Sequence, residues 1–113
     1  MSEAVPQVGS LTDRVQLQHK MTTDEAEGGH AVAYVPVTAL WARVRALGAR
    51  LTADAGGRGV SASHSVVVRF RTDVSPGDRF GYRGRWLEVL AAADLNGRRA
   101  WLSCSCMERG VVG

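Results

Sequence analysis

The chain has 113 residues and a formal net charge of +3; 45% of its residues are apolar and 22% charged, the balance of a single folded domain with a real core and not of a disordered chain. No run of 18 apolar residues offers a membrane-spanning helix, and the first residues lack the basic head and apolar stretch of a signal peptide. Two cysteines, Cys104 and Cys106, make no disulfide framework, which fits synthesis in a reducing cytoplasm.

Residues 1–10 carry Pro6, Gly9 and Ser10 and little hydrophobicity, and read as a mobile arm. In Asp13–Lys20, Val15 and Leu17 alternate with polar neighbours, the period of a half-exposed strand. Met21–Gly29 is polar and ends in Gly-Gly, which predicts a turn. From His30 the chain is β-branched, with Pro36 marking an edge or a bulge. Around Trp41 two periods compete. Trp41, Arg43 and Arg45 alternate as in a strand, whereas Leu40, Val44, Leu47 and Leu51 recur at helical spacing. A strand to about Arg45, then a short helical turn, is the favoured reading. Residues 47–63, rich in Gly, Ala and Ser, predict one long loop of the kind that usually carries function.

His64–Arg71 is the clearest strand, with Val66, Val68 and Phe70 on one face. Asp73–Asp78 is a turn by composition. Two short strands flank Arg83-Gly84, and Asn96-Gly97 signals another hairpin. In the last strand Leu102, Cys104 and Cys106 share a face opposite Trp101, Ser103 and Ser105. About six short strands with turns near every tenth residue predict an all-β fold, a small closed or partly open antiparallel barrel. The expected organisation is an arm at 1–10, one barrel domain at 11–108 and a tail at 109–113.

Candidate chemistry is thin. Cys104-x-Cys106 has no second pair, and His19, His30 and His64 are scattered, so zinc spacing fails. Ser63-His64 are adjacent, and adjacent strand residues face opposite ways, which argues against a nucleophile–base pair. Gly56-Gly57-Arg58-Gly59 lacks the Lys-Ser/Thr of a phosphate loop. No catalytic, cofactor or metal residues are expected, and the chain reads as a non-enzyme. The basic residues are more telling: 13 of the 14 are Arg, with Lys20 the single lysine. Combined with Trp41, Trp86 and Trp101, they suit either base stacking on nucleic acid or protein interfaces. An independent nucleic-acid-binding small barrel is therefore one reading.

The order of motifs supplies another. Leu11-x-x-Arg14-Val15-x-Leu17-Gln18 is followed by Trp41-Ala42-x-Val44, then His64-x-Val66-x-Val68-Arg69-x-Arg71. Gly77-Asp78-Arg79-Phe80, Tyr82-x-Gly84-Arg85-Trp86-Leu87-Glu88-Val89, Asn96-Gly97-Arg98-Arg99 and Leu102-x-Cys104-x-Cys106-x-Glu108 complete the series. Over about residues 10 to 108 this resembles the tailed-phage head-tail joining family, also called head-closure or stopper proteins, with relatives in phage-like gene transfer agents. The resemblance implies a small β-barrel that assembles with itself into a ring, typically a hexamer, in the virion neck. Its implied neighbours are the adaptor and portal ring, the tail terminator protein and the packaged double-stranded DNA in the channel, with assembly in the bacterial cytoplasm and no membrane. It further implies that the loop at 47–63 reaches toward the channel or the adjoining ring, which singles out Arg45, Arg50 and Arg58. Trp41, Trp86 and Trp101 are the candidates for subunit interfaces, because exposed Trp and Arg are enriched there.

Overall fold

The computed structural model describes residues 11–24, 28–53 and 60–111. Six antiparallel strands form it: β1 (Asp13–Asp24), β2 (His30–Ala53), β3 (Val60–Arg69), β4 (Arg79–Tyr82), β5 (Arg85–Asp94) and β6 (Trp101–Val111). They close into a barrel in the order β1-β2-β3-β6-β5-β4, with β4 returning to β1. The expected all-β barrel is the fold observed.

Alternation decides what lies inside. Val15 and Leu17 of β1, Val66 and Val68 of β3, Phe80 of β4, Leu87 and Val89 of β5, and Leu102, Cys104 and Cys106 of β6 make the core. Phe80 registers with both Leu17 and Leu87, so one large ring fills the interior where β4 joins its two neighbours. Both cysteines are free and fully buried. Burial raises the Cys106 thiol well above its ordinary range, with Cys104 and Glu88 adding to the effect.

β2 runs for 24 residues, which straight would span about 80 Å, while the longest dimension of the molecule is 50 Å. It therefore bends, and two irregularities mark where. At the first, Leu17 pairs with Thr38 and Gln18 with Pro36, leaving Val37 as an extra residue beside the proline. The bulge predicted from Pro36 is present. At the second, β2 advances from Ala46 to Leu51 while β3 moves only from His64 to Ala62.

Two hairpin arms result, one at each end of β2. The first joins His19–Asp24 of β1 to His30–Val35 of β2, beyond the last residue of β1 that pairs with β4. The second joins the end of β2 to Val60–Ala62 of β3, beyond the β3 residues that pair with β6. Here the sequence expectations need correction. Met21–Asp24, the first part of the expected turn, is strand and Gly28-Gly29 is not, no helical turn follows Arg45, and 47–53 and 60–63 of the expected loop are strand, while 25–27 and 54–59 lie outside the described residues. The reason is physical: an arm that leaves the barrel has no core face to fill, so small and polar residues pair there without the alternation that betrays a strand. The C-terminal strand likewise runs on to Val111, into the expected tail, because β5 has matching length to pair with it. The expected arm at 1–10 lies outside the described residues.

The two short turns follow their sequences. Arg83 and Gly84 both have positive φ, 47° and 78°, as a type I′ hairpin requires. The Asn96-Gly97 connection is longer than the two-residue hairpin predicted. A single 3-10 turn, Leu95–Gly97, precedes β6, and both carboxylate oxygens of Asp94 accept from the Arg99 amide at 3.0 Å.

Candidate functional site

Residues facing out of a closed barrel are the ones available to other molecules, and their neighbours are fixed by register. Arg14 of β1 pairs with Trp41 of β2, and Arg69 of β3 pairs with Trp101 of β6. Ala42 pairs with Val68, which sets Trp41 beside Arg69. One row thus crosses four strands in the order Arg14, Trp41, Arg69, Trp101. The Arg14 guanidinium lies 4.7 Å from the Trp41 ring centre, and that of Arg69 lies 5.2 Å from the Trp101 ring centre, distances at which a cation is held by the ring face. Trp101 is 8% exposed and Trp41 56%. A cleft of about 460 Å³ opens along this row, lined by Leu11, Thr12, Trp41, Arg69 and Trp101. A second of about 340 Å³ shares Leu11, Trp41 and Arg69 and adds Arg14 and Arg71.

Trp86 is elsewhere. It registers with Gly81 on the outer face of β5, and with Tyr34 it encloses the Arg79 guanidinium, the ring centres 3.6 and 3.7 Å away. Arg79 Nε also donates to Gln18 Oε1 at 2.9 Å. This stack ties the first arm to β4 and β5. Of the three tryptophans proposed for interfaces, the structure brings Trp41 and Trp101 together, exposes Trp41, buries Trp101 and gives Trp86 partners within the chain.

The arginines expected on the loop are dispersed by the correction above. Arg45 is an exposed residue of β2 opposite Ser65. Arg50 lies on β2 within the second irregularity, and Arg58 lies outside the described residues.

Two carboxylates that the sequence did not single out hold the barrel seam. Asp78, 5% exposed, accepts from the amides of Lys20 at 3.0 Å and Ser75 at 2.9 Å, and its Oδ2 is 3.1 Å from His19 Nδ1. Asp13 accepts from the Val44 amide at 2.9 Å and from the Tyr82 hydroxyl at a longer 3.4 Å. Nearby, Arg71 donates to Asp73 through Nε and Nη2, each at 2.8 Å, which holds the Asp73 carboxyl below its ordinary value.

Ser63 and His64 overturn one expectation. Ser63 Oγ is 2.9 Å from His64 Nδ1, although the two are adjacent on a strand. Ser63 faces the β2 irregularity, where the ladder is broken, and Nδ1 lies close enough to its own backbone to reach round. The same hydroxyl accepts from the Glu108 amide at 2.8 Å, so it ties β3 to β6. Among the described residues no carboxylate orients the imidazole, the third member that nucleophile activation requires, and no group of three or more His, Cys, Asp or Glu gathers to hold a metal.

No curated protein matches the chain. Among solved structures, protein SF1141 from Shigella flexneri 2a superposes with a TM-score of 0.66 at 21% identity, covering 91% of this chain and 96% of its own. A chain from the virion of a native gene transfer agent particle superposes with a TM-score of 0.63 at 23% identity, covering 88% of this chain and 94% of its own. These similarities place the overall fold among known ones. The sequence profile of the phage head completion protein family matches residues 6–109, nearly the whole chain, and the protein belongs to that family.

Proposed function

We propose that the chain is a head-tail connector that forms a ring between the portal and adaptor stack and the tail, helps retain packaged DNA and offers the tail a docking surface. The family match across residues 6–109 carries this reading, since it assigns a structural role in the virion. The geometry supports it. A ring subunit needs two unlike surfaces for head-to-tail contacts that close, and this barrel sends one arm from each end of β2. Exposed Val32, Val35, Val37 and Met21 on or beside the first arm, with Trp41 on the barrel wall, leave apolar surface for neighbouring chains. Six copies would carry about +18 formally, a charge that packaged DNA would feel.

The test is to tag the chain, express it in a host that makes particles, and sediment the lysate on a density gradient. Co-sedimentation with DNA-filled particles at a few copies each is the expected result. A chain found only at the top of the gradient would sink the connector reading. The exposed Arg14–Trp41 pair would then favour an independent nucleic-acid-binding barrel, whose mark is binding by the free chain that falls steeply with salt.

A further inference from the structure

We infer that the cleft along Arg14, Trp41, Arg69 and Trp101 receives the acidic tip of the β1–β2 hairpin from a second copy of the chain. The inference rests on the connector reading for its setting and names the contact that would join adjacent subunits.

The cleft is built for an anionic protein segment. Its floor is apolar, with Leu11 and the faces of two tryptophans, and its exposed charges are guanidinium groups. Among the described residues, neither Arg14 nor Arg69 has a carboxylate within ion-pairing distance; each rests only on a tryptophan ring. Arg71 at the margin is already committed to Asp73. Two exposed cations beside exposed Trp41 leave charge and apolar area together unanswered by the acids among the described residues.

The complementary charge lies elsewhere on the same molecule. The hairpin between β1 and β2 carries Asp24, Glu25 and Glu27 within four residues. Glu25 and Glu27 lie outside the described residues and enter by their charge alone. Asp24 closes the ladder opposite His30. From His19 to Asp24 the arm extends past the β4 seam for six residues, about 20 Å of strand.

Geometry forbids the tip from reaching its own cleft. Arg14 and Asp24 are ten residues apart on one strand, about 33 Å end to end. The cation cleft and the acid tip therefore sit at opposite ends of β1, and their meeting must be between copies, head to tail. Such a contact is heterologous and propagates; with the right rotation it closes into a ring. Nucleic acid would meet the same guanidiniums, but it gives the acid tip no role.

The test replaces Trp41 with a photo-crosslinking phenylalanine in the full-length chain, using equal amounts of light and heavy isotope-labelled protein. Irradiation is carried out on purified chain at high concentration and on particles from a producing host. The expected product joins position 41 of one copy to a peptide spanning residues 21–29 of another, with mixed isotopes. In parallel, Arg14→Glu with Arg69→Glu is expected to lower the intermolecular product about tenfold. Adding Asp24→Lys, Glu25→Lys and Glu27→Lys to that chain should restore it to within about threefold, because both partners then carry the reversed sign. Arg14, Trp41 and Arg69 are exposed, and circular dichroism checks that each variant is folded. Cross-links from position 41 to another protein, to DNA or to a different segment would overturn the inference while leaving the connector reading standing. So would no intermolecular product in either sample, or reversal of charge without rescue. A cross-link to residues 21–29 in purified chain that never enters particles would do the opposite: the contact would stand and the connector reading would fall.

Discussion

Asp78 illustrates how a single buried carboxylate decides local structure. It is almost out of reach of water, and it is the acceptor for two amides that no strand ladder serves, those of Lys20 and Ser75. Removing it takes this acceptor from both amides at a part-buried site, so Asp78→Ala is expected to cost about 1–3 kcal/mol in urea unfolding. Asp78→Asn keeps one carbonyl acceptor and should cost about half as much; equal losses would mean that the side chain's bulk, not its hydrogen bonds, matters. Gly81 makes the complementary case, where absence of a side chain is the requirement. A Cβ at Gly81 would stand 3.0 Å from the Trp86 ring, which is pinned in turn by the Arg79 guanidinium. Gly81→Ala should therefore loosen the Tyr34–Arg79–Trp86 stack, lowering stability by about 1–2 kcal/mol and shifting the tryptophan emission toward that of a wetter ring.

At the scale of the element, the turns bear two expectations. In the β4–β5 hairpin both central residues are left-handed, which suits Gly84 and strains Arg83. Gly84→Ala is expected to cost about 1 kcal/mol, whereas Arg83→Asn should be neutral or stabilise slightly, since its long 3.9 Å pairing with Asp13 is nearly solvent-exposed on the arginine side. The turn after β3 is pH-sensitive in a definite direction. Because Arg71 depresses the Asp73 carboxyl, the pair's contribution is present above the unfolded carboxylate value of about 3.9 and fades as pH falls from there through the folded value. Asp73 is 39% exposed, so the contribution is under about 1 kcal/mol. Arg71→Gln should lower the urea midpoint a little at pH 7, and the gap to the parent should close in acid. Elements were legible in the sequence in proportion to their contact with the core. Val15 and Leu17, Val66 and Val68, and Leu102, Cys104 and Cys106 announce β1, β3 and β6 because one face must be apolar. Residues 21–24 of β1, 47–53 of β2 and the start of β3 pair beyond the barrel, have no such obligation, and so read as turn and loop. The candidate site was legible only as a list of types. Trp41 and Trp101 become neighbours through the register of four strands, and Asp78 finds Lys20 at a distance of 58 residues; neither relation leaves a local mark.

The whole molecule has one narrow joint. β1 and β4 share only three register pairs, Gln16–Gly81, Leu17–Phe80 and Gln18–Arg79, whereas the β3–β6 ladder has six. Closure is reinforced by side chains on both flanks of the seam: Asp78 on the Lys20 amide at one end, Asp13 with Tyr82 at the other, and Arg79 on Gln18 between them. Phe80 locks it from within, fully buried between Leu17 and Leu87. A barrel closed in this way opens where the fewest backbone hydrogen bonds must break, and the rest of the sheet remains intact through β2, β3, β6 and β5. Native-state hydrogen exchange should therefore find the amides of the β1–β4 seam opening at lower free energy than those of the β3–β6 ladder. Phe80→Ala is expected to cost about 3–5 kcal/mol overall. It should widen that difference, because the lock is lost at the seam while Val66, Val68, Leu102 and Cys104 still face one another across β3 and β6. Uniform exchange across both ladders, in parent and variant alike, would mean that the barrel opens only by unfolding as a whole. The distinction matters for a subunit of an assembly: a seam that opens alone would let β1, and the arm it carries, adjust to a neighbour while the remaining five strands hold their shape.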